Sequence, residues 1–141
     1  MGNSFKFDTT HKRSELMKKI RSTNTKPEIV FRKELWNSGI RYRLNSALLP
    51  GKPDIVINKY KIVIFIDGNF WHGYQWKKKK TRIKANREYW IKKIEGNIKR
   101  DKINNKKLKK LGFTIFRFWD HQINDDLFAC LSQIHSKIQS I

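Results

Sequence analysis

Negative charge, cysteine and long apolar runs are what this chain has least of, and each shortage excludes something. One of its 141 residues, Cys130, is a cysteine. That rules out an internal disulfide and any multi-cysteine zinc site. Cys130 falls in an apolar helical pattern and reads as a small core residue rather than a reactive thiol. No stretch approaches the roughly 18 uninterrupted apolar residues of a membrane span. The stretch 1–10 lacks the apolar segment of a secretory signal, so a cytoplasmic protein without membrane attachment is expected. Acids are scarce: 12 aspartates and glutamates stand against 32 lysines and arginines, a formal net charge of +20.

An excess of that size calls for an anionic partner, which leaves nucleic acid, an anionic membrane surface, or a disordered polycation. What the chain does contain argues against the last. Hydrophobic residues make up 38% and aromatics 13%, with five tryptophans, far more apolar material than a disordered tail carries. The length suits one domain with a real core. A folded nucleic-acid-binding protein is therefore expected, with a loose polar arm over 1–11 and a single domain over 12–141.

Along the chain, Ser14 opens a short helix through Met17 and Ile20. Thr25-Lys26-Pro27-Glu28 opens a stronger one, with capping-box spacing and proline in the first turn. Ile29, Phe31, Leu35 and Trp36 follow until Ser38-Gly39 stops it. A weak first strand is expected over 41–44, then a buried hairpin of 54–57 and 61–66 turning at Asn58-Lys59-Tyr60. Residues 68–80 read as a loop. A long helix spans 86–110, with Trp90, Ile94, Ile98, Leu108 and Leu111 inward, a basic outer face, and imperfect apolar spacing around Ile103. A strand over 113–119 and a closing amphipathic helix marked by Leu127, Cys130, Leu131, Ile134 and Ile138 complete the pattern. The fold class is α/β, a mixed central sheet flanked by helices.

Two of the few carboxylates fall at strand positions. Asp54 begins one arm of the hairpin and Asp67 ends the other, so a turn at 58–60 brings them side by side. A buried carboxylate is costly unless it is paired or binds a cation, and two together invite a divalent metal. The alternative is that Asp54 caps a turn beside Pro53 and that Asp67-Gly68 starts a loop. Glu28 is either a further acid of the site or a helix cap. His72, just past the second strand, suits deprotonation of a water, unless it is an exposed loop histidine. Phe70 and Trp71 lie between two glycines and precede Lys77, Lys78, Lys79 and Lys80. With Trp90 they suit a wedge that stacks between bases while the lysines meet phosphates; otherwise they fill core beneath a loop.

Four strings carry a resemblance: Met17-x-x-Ile20-x-Ser22-x-Asn24-Thr25; Leu49-Pro50-Gly51-Lys52-Pro53-Asp54; Val63-Ile64-Phe65-Ile66-Asp67-Gly68-Asn69-Phe70-Trp71-His72; and Asn86-Arg87-Glu88-Tyr89-Trp90 through Asn97-x-x-Arg100-Asp101. In order and spacing, over roughly residues 11–125, they resemble the Vsr (very short patch repair) mismatch endonucleases. The resemblance implies a restriction-endonuclease-like fold and a magnesium-dependent DNA endonuclease. Such an enzyme nicks one strand 5′ of the mismatched thymine in T:G pairs left by deamination of 5-methylcytosine. It implies Asp54, the Ile66 carbonyl and Asp67 at the metal, His72 as catalytic histidine, and Glu28 in support. Asp67 takes a position where some members have histidine. Phe70, Trp71 and Trp90 match the intercalating wedge, and Met17, Lys93 and Asn97 match positions near the mismatch. The expected partner is double-stranded DNA with a T:G mismatch, met by a monomer alongside a companion cytosine-5 methyltransferase system. Some members also carry a structural zinc site, but its positions here are Asn69, Tyr74, Trp76 and His121, which cannot close a tetrahedral site. No structural zinc is expected. A restriction-type endonuclease cutting matched DNA and a non-catalytic DNA-binding module are the competing readings.

Overall fold

A computed structural model describes residues 25–141. The arm over 1–11, the helix expected from Ser14, and Met17 lie outside the described residues. Helix α1 spans Lys26–Asn37, with Pro27 in its first turn and Thr25 as N-cap. Thr25 makes no side-chain cap bond, so the expected capping box does not form. Glu28 is instead 1% exposed, turned inward on the same helix as the buried Phe31 and Leu35. Gly39, at φ +95°, ends the helix in the left-handed conformation that glycine adopts at little cost.

Four strands form one sheet in the order β1 (Arg43–Leu44), β2 (Ile55–Ile57), β3 (Ile62–Asp67), β4 (Thr114–Trp119). The first two pairings are antiparallel and the third is parallel. A 3-10 turn at Asn58–Tyr60, with Lys61 left-handed at φ 55°, closes the hairpin and sets Ile55 opposite Ile64. Strands β3 and β4 run the same way, so a crossover must join them. It comprises the short helix α2 (Trp76–Lys80) and the long helix α3 (Arg87–Lys110). Helices α4 (Asp120–Asp125) and α5 (Leu127–Gln139) finish the chain. Among the described residues, no helix is long and apolar enough to cross a membrane.

Side chains of a strand alternate between faces, and the core divides accordingly. Ile62 and Ile64 pack with Phe31, Leu35, Ile123 and Ile134 from α1, α4 and α5. Val63 and Phe65, one position out of phase, pack with Leu108 of α3. Cys130 is buried in the first of these layers, where burial pushes its thiol pKa up.

Several expectations need correction. The first strand shrinks to two residues. The lysine run expected in a loop is helical. The helix α4 was not anticipated, because its six residues are too few to show a period. Leu111 is 50% exposed rather than inward, since α3 ends before it and the chain turns at Gly112.

Candidate active site

Continuing the odd-numbered face of β3 past Val63 and Phe65 brings Asp67, 5% exposed. The parallel register sets Phe65 against Arg117 of β4, whose guanidinium lies 3.8 Å over the Phe65 ring. Its Nη1 donates to both oxygens of Asp67, at 3.1 and 3.0 Å. Nε donates to Asn105 Oδ1 at 2.8 Å, and Nη1 lies 3.6 Å from Asp101 Oδ1. Helix α3 supplies Asp101 and Asn105 one turn apart, between the buried Ile94 and Leu108. These polar residues occupy the inward stripe. That is why its apolar spacing fails in mid-helix while Ile103 is left 45% exposed. Asp101 Oδ2 meets His72 Nδ1 at 2.6 Å, and the same nitrogen lies 3.8 Å from Asp67. Among the described residues, Asp67, His72 and Asp101 are the group whose potential ligand atoms all lie within 4.8 Å of one another.

Asp54 approaches from the β2 side. Its Oδ2 accepts the Ile66 backbone N–H at 2.7 Å, the place where a longer β2 would have continued the ladder. Burial pushes its pKa up to about 7; the Ile66 bond opposes the rise, and the nearby charges of Glu28 and Asp67 add to it. The two hairpin aspartates thus share one electrostatic pocket with Glu28 and His72, although Asp54 stands outside the tight trio. Burial also raises Asp67, against the pull of Arg117 and His72. For His72, burial works downward, but the Asp101 hydrogen bond and the charges of Asp67 and Asp101 outweigh it, leaving the imidazole above its usual value.

The segment after β3 is folded back tightly, with His72 N–H donating to Gly68 O and Tyr74 N–H to Asn69 O. Gly73, at φ +76°, permits this: a Cβ there would collide with Ile98 Cδ1. Asn97 Nδ2 donates to the Trp71 carbonyl at 2.8 Å and fixes the loop to α3. Phe70, Trp71 and Trp90 touch one another with ring centroids 5.4 to 5.6 Å apart, and Tyr89 adjoins Trp90 at 5.1 Å. Phe70 and Tyr89 are exposed. Lys77, Lys78 and Lys93 are also exposed, whereas Lys80 pairs with Glu95 at 2.7 Å and Lys79 lies over the Tyr74 ring. Of the four positions matched to zinc ligands, Asn69 Oδ1 bonds His121 Nδ1 at 2.8 Å, Tyr74 packs on the His121 ring at 4.5 Å, and Trp76 donates to Glu95.

Sequence reasoning gave no role to Asp101, Arg117 or Tyr89. The signals were a lone arginine in the apolar strand 114–119 and polar residues where the period of α3 calls for apolar ones.

A buried carboxylate pocket with an imidazole at its rim, on a mixed sheet flanked by helices in a strongly basic protein, has the makings of a nuclease. Residues 6–78 match the family described as DNA mismatch endonuclease Vsr, and the chain belongs to that family. It is 40% identical over 131 residues to the type II nicking enzyme V.NmeDIP of Neisseria meningitidis serogroup C, covering 93% of this chain and 88% of that one. Identity to the type II nicking enzyme V.HpaIIP of Haemophilus parainfluenzae is 46% over 116 residues, 82% of each chain. Identity to the DNA mismatch endonuclease Vsr of Escherichia coli is 35% over 111 residues, 77% of this chain and 69% of that one. The protein is a DNA endonuclease, and its sheet and helices have the restriction-endonuclease-like arrangement of the family.

Proposed function

We propose that this endonuclease nicks one strand of duplex DNA on the 5′ side of the thymine in a T:G mismatch, using magnesium. The observation that carries the reading is His72, bonded to Asp101 at 2.6 Å, standing beside the pocket of Asp54 and Glu28.

The donor set fits a hard divalent cation. A carboxyl raised to about 7 by burial and by Glu28 and Asp67 is one that positive charge would relieve. Asp54 would hold the ion together with the Ile66 carbonyl. In an extended strand the N–H and C=O of one residue point to the same edge, and the Ile66 N–H points at Asp54. When bound, magnesium supplies Lewis-acid polarisation of the scissile phosphate and offsets its developing charge.

With Nδ1–H donated to Asp101, His72 Nε2 is left as the base. It accepts a proton from the attacking water as the water oxygen bonds to phosphorus. The P–O3′ bond breaks, leaving a 3′ hydroxyl, protonated from solvent, and a 5′ phosphate. Phe70, Trp71 and Trp90 insert beside the mismatch, where stacking is already poor and unstacking costs less than in matched duplex. The lysines at 77–80 and Lys93 meet phosphates, whereas Asn97, which holds the Trp71 carbonyl, sets the height of the wedge. The loop is held without structural zinc by the Asn69–His121 bond and the Tyr74 ring. The enzyme acts as a cytoplasmic monomer where a cytosine-5 methyltransferase generates 5-methylcytosine.

The test compares T:G and matched duplexes with magnesium, using the wild type and Asp54→Asn. The wild type is expected to nick the T:G duplex at least about 100-fold faster, and Asp54→Asn to lose about 10³-fold while still binding DNA. Equal rates on both duplexes would refute the mismatch reading, and an unimpaired Asp54→Asn would refute the site.

A further inference from the structure

The cluster that looks most like a metal site already has a positive charge built into it. Asp67, His72 and Asp101 have ligand atoms within 4.8 Å of one another, but a permanent cation is already among them. Arg117 Nη1 sits 3.0 and 3.1 Å from the two Asp67 oxygens and 3.6 Å from Asp101 Oδ1. A guanidinium does not deprotonate in a protein, and a dication a few ångströms away would be strongly repelled. His72 Nδ1 is also committed, to Asp101 at 2.6 Å.

Arg117 cannot easily swing aside. Its Nε is tied to Asn105, its guanidinium lies on the Phe65 ring, and 17% of its side chain is exposed. The other terminal nitrogen, Nη2, is buried with no hydrogen-bond partner among the described residues. Among the described residues, no permanent cation stands against Asp54 in this way: the groups acting on it are the Ile66 amide, Glu28, Asp67 and His72.

We propose that Arg117 is a built-in cation that closes the Asp67, His72 and Asp101 cluster to divalent metal, so that the site takes one ion on the Asp54 side, with Asp67 anchoring Arg117 instead of ligating that ion. The single-ion count rests on the magnesium reading above; the exclusion of metal from the cluster does not. Arg117 and Asp67 are positioning residues in this account. They set where positive charge stands around His72.

Manganese binding to the DNA-free full chain, measured by calorimetry and electron paramagnetic resonance, tests this. The wild type is expected to bind one ion, and Asp67→Asn to keep it with less than about a tenfold loss of affinity. Arg117→Met is expected to gain an ion. Arg117→Lys, which restores the charge, should not gain one, and neither should Arg117→Met combined with Asp67→Asn. A folded Arg117→Met that binds no additional ion overturns the proposal, as does a wild-type ion lost in Asp67→Asn. Should Arg117→Met fail to fold, Asp67→Asn decides alone: retention of the ion supports the proposal and loss refutes it. A wild type that binds none while Arg117→Met binds one would sink the magnesium site at Asp54 and leave the role of Arg117 standing.

Discussion

The two faces of the sheet are made by the same strands, yet they do different work. One is covered by α1, α4 and α5, and its buried layer of Phe31, Leu35, Ile62, Ile64 and Ile134 is apolar. The other is covered by α3, and its apolar patch of Val56, Val63, Phe65 and Leu108 is small. It gives way within one residue pair to Asp67, Arg117 and Asp101. A carboxylate, a guanidinium and an imidazole held within about 4 Å could not be afforded by a protein whose stability rested on that face. The first face supplies the larger apolar layer, which leaves the second free to carry the charged groups of the proposed site.

Breaking each face separately tests the division. The largest effect is expected at His72: His72→Ala should slow nicking by about 10³-fold with no loss of thermal stability, checked by single-turnover nicking and calorimetry. On the opposite face, Phe31→Ala should cost about 3–5 kcal/mol of stability and leave the rate per folded molecule near that of the wild type. Chemical denaturation and active-site titration would show this.

Asp101→Asn should sit between these extremes, lowering the rate about 10–100-fold. It also carries a sign. His72 must be neutral to accept a proton, and its pKa is raised above 6.5, where burial is outweighed by the Asp101 bond and nearby charges. Activity should therefore rise with pH through a midpoint above 6.5. Removing the Asp101 charge should move that limb toward lower pH, and an unmoved limb would count against the pairing.

The smallest effect is expected in the hinge between core and site. Gly73→Ala drives a Cβ into Ile98 Cδ1 at φ +76°, which should cost about 1–3 kcal/mol. Ile98→Ala in the same background should recover part of the nicking rate, because the loop that carries Phe70, Trp71 and His72 could seat again.

Asp54 links the charged face to pH. Its folded pKa of about 7 lies above the 3.8 of an ordinary aspartate, so the metal-free fold loses stability as pH rises from about 4 to about 7. Asp54→Asn should raise the melting temperature at pH 8 in chelator and show a smaller advantage at pH 4. Equal gains at both pH values would refute the burial account.

The hairpin, the long helix and the position of Asp54 against the second hairpin strand were legible because each rests on a local pattern: β-branched runs around a short turn, a 3.6 period, and a proline-flanked acid before an apolar strand. Glu28 was ambiguous because a cap and a buried acid have the same sequence signature. The structure shows it buried, at 1% exposed, on a helix whose Thr25 makes no side-chain cap bond. Asp101 and Arg117 were given no role because their local signals, a polar break in a helical period and a lone arginine in an apolar strand, do not say what they meet. They are 34 and 50 residues from Asp67 in sequence and meet it only through the parallel β3–β4 register and the seating of α3.

Composition and periodicity are local properties, and they were enough to define a basic chain with the apolar material to fold, the kinds of elements it forms, and the few acids available for chemistry. Which charges meet is set by long-range packing. Pairing register and helix seating select one contact from many with equal local claim, and the burial this creates is what shifts the pKa values of Asp54, Asp67 and His72.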